Sequence, residues 1–197
     1  MLSKTELTLR GTAWRLFLTC WLVYALHFAT NTVREIYPAL SLGDNLSLDV
    51  SEYVGLHPDI FTVPGRGAYI NNNPGASLLG ALPYALTRPL IERAVDTIQQ
   101  ARLHSGAPAP EYDNIYPLAR EFYREAYARG LDVKFALGAG VMQALLMAPL
   151  SALGAVTMFY ILYGLTRRQR TALLLALLYA FATPIFYRTA QLNQNVL

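Results

Sequence analysis

The sequence predicts an all-α polytopic membrane protein with three transmembrane helices and one large extracytoplasmic loop. Of its 197 residues, 54% are hydrophobic and only 15% are charged, whereas soluble domains average about 25% charged residues. The uncharged segment 135–165 is longer than a transmembrane helix requires, which is about 20 residues. The charges are also segregated, since residues 31–134 contain 12 of the 13 acidic residues. Together these observations indicate that part of the chain is surrounded by membrane lipid.

Composition also argues against several classes of function. The net charge is only +3, and no clustered basic face suggests binding to nucleic acid. Cys20 is the only cysteine, so the chain can form neither an internal disulfide nor a cysteine-based metal site. None of the predicted membrane segments contains an acidic residue, which argues against a proton-coupled or ion-coupled transporter.

The N-terminal part predicts a membrane anchor. Residues 1–12 are a basic polar segment, and residues 13–30 form the first predicted transmembrane helix. A cleaved signal peptide is the alternative, but its small-x-small cleavage site is poor because His27 stands two residues before Ala29. The positive flank places the N-terminus in the cytoplasm, so the chain emerges outside near Asn31.

The extracytoplasmic loop, residues 31–134, begins without sustained periodicity. Up to residue 75 the sequence predicts mostly loop with short helical or strand pieces, and turns at 43–45 and 65–67. Residues 76–87 are uncharged but too short to cross a membrane, and Pro83 favours a break or kink there. We interpret this stretch as a re-entrant or interfacial segment.

Two amphipathic helices are predicted in the second half of the loop. Residues 89–103 repeat apolar side chains at helical spacing after a proline suited to a first turn. Residues 117–129 place Leu118 and Phe122 on one face. Because each helix has an apolar face and a charged face, both are suited to lie in the membrane interface.

The C-terminal part predicts two further transmembrane helices. Residues 135–165 form the second, tilted or kinked at Pro149 because of its length. Residues 166–170 contain three arginines and predict a cytoplasmic loop. Residues 171–187 form the third helix, and residues 188–197 are an extracytoplasmic end. With both basic segments inside, the whole large loop lies outside.

Charged residues at the start of the loop are the candidate site for chemistry. Arg34 and Glu35 follow the first membrane helix by about one helical turn, at headgroup depth. A carboxylate there can accept a proton from an incoming hydroxyl group, and an arginine beside it can hold a phosphate through bidentate hydrogen bonds. Asp59 supplies a second acid and His57 a neighbouring imidazole. The alternatives are a solvated ion pair for Arg34 and Glu35, and a structural hydrogen-bonding role for His57.

A polar run before segment 76–87 is the candidate sugar-binding element. Asn71, Asn72 and Asn73 offer amide donors and acceptors suited to sugar hydroxyls, and Tyr69 can stack on a sugar ring. The alternatives are a turn with a helix cap for the asparagines and an interfacial aromatic belt for the tyrosine. Two acids and a histidine can also bind a divalent metal, but no tight spacing supports a metal site.

A longer pattern connects these residues. It comprises Arg34–Glu35, Asp59–Phe61, Gly67, Tyr69–Gly75, Ser77–Leu79, Pro83–Tyr84, Ala182–Pro184 and Phe186–Tyr187. The pattern resembles the N-terminal part of GT-C class membrane glycosyltransferases. These include protein O-mannosyltransferases, the lipid A aminoarabinose transferase and uncharacterised bacterial relatives.

The resemblance implies transfer of a sugar from a polyprenyl-phosphate donor on the outer face of a bacterial inner (plasma) membrane. By carry-over, Glu35 is the acid nearest the first helix and Asp59 is the second acid of the loop. The family has an acid pair directly after the first helix, where this chain has one glutamate preceded by Arg34. The family also has seven or more spans, whereas three are predicted here.

The difference in span number implies the N-terminal portion of such an enzyme, or a chain that acts with a partner supplying further transmembrane helices. The expected binding partners are a lipid-linked sugar donor and membrane lipid. The alternative function is that of a non-catalytic, small polytopic scaffold or assembly protein whose outer loop binds another protein.

Overall fold

The computed structural model describes residues 8–27, 33–106, 108–189 and 192. Most of the predicted N-terminal segment, the end of the predicted first membrane helix and most of the predicted C-terminal end therefore lie outside the described residues. In chain order the elements are α1 (Leu9–Leu26), α2 (Ile36–Asn45), a 3₁₀ turn (Ser51–Tyr53), β1 (Ile60–Val63), β2 (Gly67–Ile70), α3 (Gly75–Ser105), α4 (Pro117–Ala128), α5 (Asp132–Met142), a π turn (Gln143–Met147), α6 (Ala148–Thr166), α7 (Gln169–Phe181) and α8 (Pro184–Arg188).

The described chain is mostly helical, as the sequence predicts, with one two-stranded antiparallel sheet formed by β1 and β2. The elements divide into two compact units, each considered by itself. The first unit contains α1, the π turn, α6, α7 and α8. The second contains the elements from α2 to α5.

In the first unit, α6 packs against both α1 and α7 through small side chains. Alanines recur along the contact faces of α6 and α7, which allows their backbones to approach closely. They are Ala148, Ala152, Ala155, Ala172, Ala176 and Ala180, all fully buried. Two aromatic side chains of α1 use their polar atoms within this apolar packing. The Trp21 Nε1–H donates to the Ala144 carbonyl at 2.8 Å, and the Tyr24 hydroxyl donates to the Ala180 carbonyl at 3.0 Å.

One helix in the described residues, Asp132–Thr166, is long and apolar enough to cross a membrane. It consists of α5, the π turn and α6, and it contains the predicted second membrane segment, 135–165. Its irregular turn lies directly before Pro149, whose ring and missing N–H disturb the hydrogen bonds of the preceding turn. The other C-terminal helix, α7, is apolar but has only 13 residues.

The prediction of one unbroken helix over residues 171–187 is wrong. α7 ends at Phe181, and a separate short helix, α8, begins at Pro184. The proline cannot donate a backbone hydrogen bond to continue α7. Thr183 instead takes an extended conformation and caps α8, with its Oγ1 accepting from the Ile185 N–H at 3.3 Å.

The early part of the large loop is more regular than its sequence suggests. The turn predicted at 43–45 is wrong, because these residues form the last turn of α2. A Cβ atom at Gly43 would collide with the ring of Tyr84, so this glycine serves the close packing of α2 on α3. The turn predicted at 65–67 is confirmed as the connection of the β1–β2 hairpin, in which Val63 pairs with Gly67.

The prediction of a separate segment 76–87 and helix 89–103 is wrong, because both belong to the single 31-residue helix α3, which continues through Pro83. Pro83 and Pro89 both lie inside it. The Thr87 hydroxyl donates to the carbonyl oxygens of Pro83 at 2.8 Å and Tyr84 at 3.2 Å, which provides hydrogen bonds in the turn between the two prolines. The predicted helix at 117–129 is confirmed as α4, which ends one residue earlier, at Ala128.

An aromatic cluster forms much of the core of the second unit. Tyr37 of α2, Tyr53 of the 3₁₀ turn and Phe135 of α5 have ring centroids 5.4–5.6 Å apart. All three side chains are buried, and Phe122 of α4 extends the cluster against Phe135. Because Tyr37 lies in the first turn of α2, this packing fixes the position of the residues directly before the helix.

Candidate functional site

Arg34 connects the two acids that the sequence singles out. Its Nη1 atom lies 3.3 Å from Oδ2 of Asp59, and its Nε atom lies 4.0 Å from Oε1 of Glu35. The two acids differ in environment: Glu35 is only 6% exposed, whereas Asp59 is exposed. The structure therefore brings together one buried carboxylate, one exposed carboxylate and a guanidinium group that both can contact.

The backbone around Glu35 is fixed by the start of two helices. Glu35 is the residue directly before α2, and its carbonyl oxygen accepts a hydrogen bond from the Ser77 hydroxyl at 2.8 Å. Ser77 lies in the first turn of α3 and is fully buried. Within the described part of the chain, the Glu35 carboxylate accepts no hydrogen bond, and Arg34 is its only charged contact within 4.0 Å. A buried carboxylate with so few partners among the described residues can accept a hydrogen bond from a further donor, such as an acceptor hydroxyl group.

His57 lies beside the Arg34, Glu35 and Asp59 side chains and contacts the backbone of Asp59. The His57 Nδ1 atom accepts a hydrogen bond from the Asp59 N–H at 3.0 Å, and the ring packs edge-on against Tyr37. Burial lowers the pKa of His57, and this effect exceeds the opposing influence of the Asp59 and Glu35 carboxylates. The imidazole is therefore neutral at pH 7, with Nε2 carrying the proton.

Acidification is expected to destabilise this unit through His57. The lowered pKa means that the unfolded chain binds a proton more readily than the folded chain, so stability is lost as the pH falls below about 6.5. In His57→Asn the Asn carbonyl oxygen can still accept from the Asp59 N–H, but the titrating group is gone. Unfolding measured between pH 7.5 and 5 should therefore depend less on pH in His57→Asn than in the wild type. Equal pH dependence of the two proteins would contradict this role for burial.

Among the predicted sugar-binding residues, Tyr69 and Asn72 form hydrogen bonds with residues of the β1–β2 hairpin and not with Arg34. The Tyr69 hydroxyl donates to the Arg66 carbonyl at 2.8 Å, and the Asn72 N–H donates to the Ile70 carbonyl at 3.0 Å. The side-chain Nδ2 of Asn72 is buried, and no described residue accepts a hydrogen bond from it. Asn71 and Asn73 are exposed, and the residue that precedes α3 is Pro74.

A second charged cluster, which sequence reasoning missed, surrounds Asp44 at the other end of α2. The Asp44 carboxylate lies 2.8 Å from Lys134 Nζ and 3.3 Å from Arg88 Nε, and it accepts a hydrogen bond from the Tyr84 hydroxyl at 2.9 Å. Glu52 lies 3.4 Å from Lys134 Nζ. The partners come from α2, α3, α5 and the 3₁₀ turn, so the cluster ties these elements together.

This Asp44 cluster lines a cavity of about 290 Å³. The cavity is separated from Glu35 by the ten residues of α2, a length of about 15 Å. One signal in the sequence pointed here: Lys134 is a lone charge directly before a long uncharged segment, and such a charge needs a partner.

Within the described residues, no three His, Cys, Asp or Glu side chains are grouped so as to hold a metal ion. The divalent metal considered from the sequence therefore has no ligand set in that part of the chain. Comparison with known proteins adds no family to this description: no family model, curated protein or solved structure matches the chain.

Proposed function

We propose that the chain is the N-terminal part of a GT-C-like glycosyltransferase, which transfers a sugar from a polyprenyl-phosphate donor to an acceptor outside the membrane. The observation that carries the proposal is the position of the Arg34 guanidinium between two carboxylates, one buried (Glu35) and one exposed (Asp59). A guanidinium group binds phosphate well, and a carboxylate is a suitable base for a hydroxyl group.

The proposed reaction assigns each group one task. The acceptor hydroxyl gives its proton to a carboxylate, Glu35 or Asp59, while its oxygen attacks the anomeric carbon of the sugar. The bond from that carbon to the phosphate oxygen breaks, and polyprenyl phosphate leaves with the electron pair. Arg34 stabilises the charge that develops on the phosphate, exchanging part of its contact with Asp59 for contact with the leaving group.

The same proposal places three segments across the membrane: α1, the helix Asp132–Thr166, and the α7–α8 segment. One apolar stripe on α1 supports it, because large side chains repeat every four residues and are exposed. Trp14, Leu18, Leu22 and Leu26 are 52–76% exposed. A continuous apolar stripe of this kind is unusual on a soluble surface and is suited to lipid or to further transmembrane helices.

Cysteine labelling tests the proposed topology. In a Cys20→Ala background, a cysteine introduced by Ser105→Cys at the end of α3 should react with an impermeant maleimide in intact cells. A cysteine introduced by Thr171→Cys should react only after the cells are permeabilised. Protection of the Ser105→Cys site in intact cells, with labelling after permeabilisation, would contradict a single large outer loop.

Consumption of a lipid-linked sugar tests the proposed activity. The full-length protein that contains this chain is reconstituted in vesicles with polyprenyl-phosphate carrying radiolabelled mannose, glucose or aminoarabinose, and solubilised membranes supply the acceptor. We expect one of these labels to leave the organic phase only when the protein is present. If none of the donors is consumed or bound, the scaffold function becomes the better explanation, with the Arg34–Asp59 contact as an ion pair that only stabilises the loop.

A further inference from the structure

The first unit has a groove between α1 and α6 that combines apolar walls with a cationic end. Its volume is about 430 Å³. The walls come from Trp14 and Phe17 of α1 and from Leu153, Val156 and Tyr160 of α6, and Arg10 lies at the end nearest the start of α1. The groove thus presents a long apolar surface and one guanidinium group, which matches the two chemical parts of a phospholipid.

The surroundings of Arg10 favour an anionic ligand. Three further arginines lie close together in the chain where α6 joins α7: Arg167 and Arg168 in the connection and Arg170 in the first turn of α7. The start of α7 lies at the same end of the unit as Arg10, because the Gln169 side chain donates to the Thr12 hydroxyl at 2.5 Å. The described residues of this unit contain no Asp or Glu, so these arginines have no acidic partner among them.

We propose that this groove binds one acyl chain of an anionic phospholipid, with Arg10 holding the lipid phosphate. The site rests on the proposed membrane location of α1 but not on glycosyl transfer. Basic pockets between transmembrane helices on the cytoplasmic side recognise anionic headgroups, and the expected orientation of this chain puts the arginines on that side. The exposed ring of Trp14 lines the groove and supplies a spectroscopic probe of its occupant.

Fluorescence quenching by brominated phospholipids tests the proposal. The chain has two tryptophans, so Trp21→Phe leaves Trp14 as the only reporter in the groove. The protein is placed in phosphatidylcholine vesicles that contain brominated phosphatidylglycerol or brominated phosphatidylcholine. We expect Trp14 to be quenched with about fivefold higher apparent affinity by the anionic lipid, the preference that one arginine confers near a membrane surface.

Matched variants separate a specific site from a general charge effect. Arg10→Gln should abolish the preference for the anionic lipid at Trp14, and Arg10→Lys should retain most of it. Arg15→Gln should leave the preference unchanged, because Arg15 lies on the same helix but does not line the groove. Equal quenching of Trp14 by the two lipids, or the same preference after Arg10→Gln, would overturn the proposal.

A second reporter distinguishes failure of the site from failure of membrane insertion. In Trp14→Phe the remaining Trp21 lines a separate apolar groove beside Leu18 and Ala144. If α1 lies in the bilayer, both brominated lipids should quench Trp21 to a similar extent. Quenching of Trp21 without quenching of Trp14 would mean that another protein segment covers the groove and would overturn the lipid site. Absence of quenching at both positions would overturn the membrane location as well.

Discussion

Glu35→Gln is expected to lower the rate of the proposed sugar transfer by about a hundredfold or more. Glutamine keeps the size of the side chain but cannot accept the proton of the acceptor, and general-base catalysis typically contributes about 10²–10⁴-fold. Glu35 is the stronger candidate for the base because its carboxylate is buried and accepts no hydrogen bond from the described residues. The measurement is the initial rate of loss of label from the lipid-linked donor.

The variant Asp59→Asn distinguishes the role of Asp59 from that of Glu35. If Asp59 only holds Arg34 in place, the variant should raise KM for the donor and leave kcat within about threefold, because Arg34 remains available to the phosphate. If Asp59 is the base, kcat should fall as it does in Glu35→Gln. Glu111→Gln is a matched control, since Glu111 is an exposed acid of the same loop outside this site. Unchanged transfer in both Glu35→Gln and Asp59→Asn would contradict the assignment of the base.

Local patterns predicted part of this fold. The helix at 117–129 was readable because its apolar residues repeat at helical spacing over three turns. Helix α2 could not be predicted from its local sequence, because Pro38 and Gly43 on their own indicate turns. Pro38 lies in the first turn of α2, where its missing N–H costs nothing, and Gly43 makes room for the Tyr84 ring. Both residues are explained by tertiary packing, which no local pattern contains.

The same distinction applies to the candidate site. Arg34 and Glu35 are adjacent in sequence, and their position directly after an apolar helix identified them as candidate site residues. The contact of Arg34 with Asp59 spans 25 positions, and that of Lys134 with Asp44 spans 90, so neither could be inferred from spacing. The sequence indicated that Lys134 needs a partner but could not say which acid supplies it. It also grouped Tyr69 and the asparagines with the acids, whereas the hairpin provides the contacts of Tyr69 and Asn72.

The second large effect is expected on stability, from a substitution in the Asp44 cluster. Asp44→Asn is expected to lower the free energy of unfolding by about 3 kcal/mol, because it leaves the largely buried Lys134 ammonium group without a full counter-charge. The side chains of Asp44 and Lys134 are only 10% and 19% exposed, so hydration compensates for only part of the lost interaction. Asparagine can still accept the hydrogen bond from the Tyr84 hydroxyl. The loss therefore measures charge and not that hydrogen bond, and it can be followed by denaturant titration in detergent micelles.

A double variant shows whether the effect comes from the uncompensated charge. Asp44→Asn combined with Lys134→Met removes both members of the pair and should recover at least half of the lost stability, because paired removal leaves no buried ammonium group. Glu52→Gln serves as the control, since Glu52 is exposed and lies farther from Lys134, and it should cost less than about 1 kcal/mol. If the double variant is less stable than Asp44→Asn alone, Lys134 stabilises α5 by packing and not as the partner of Asp44.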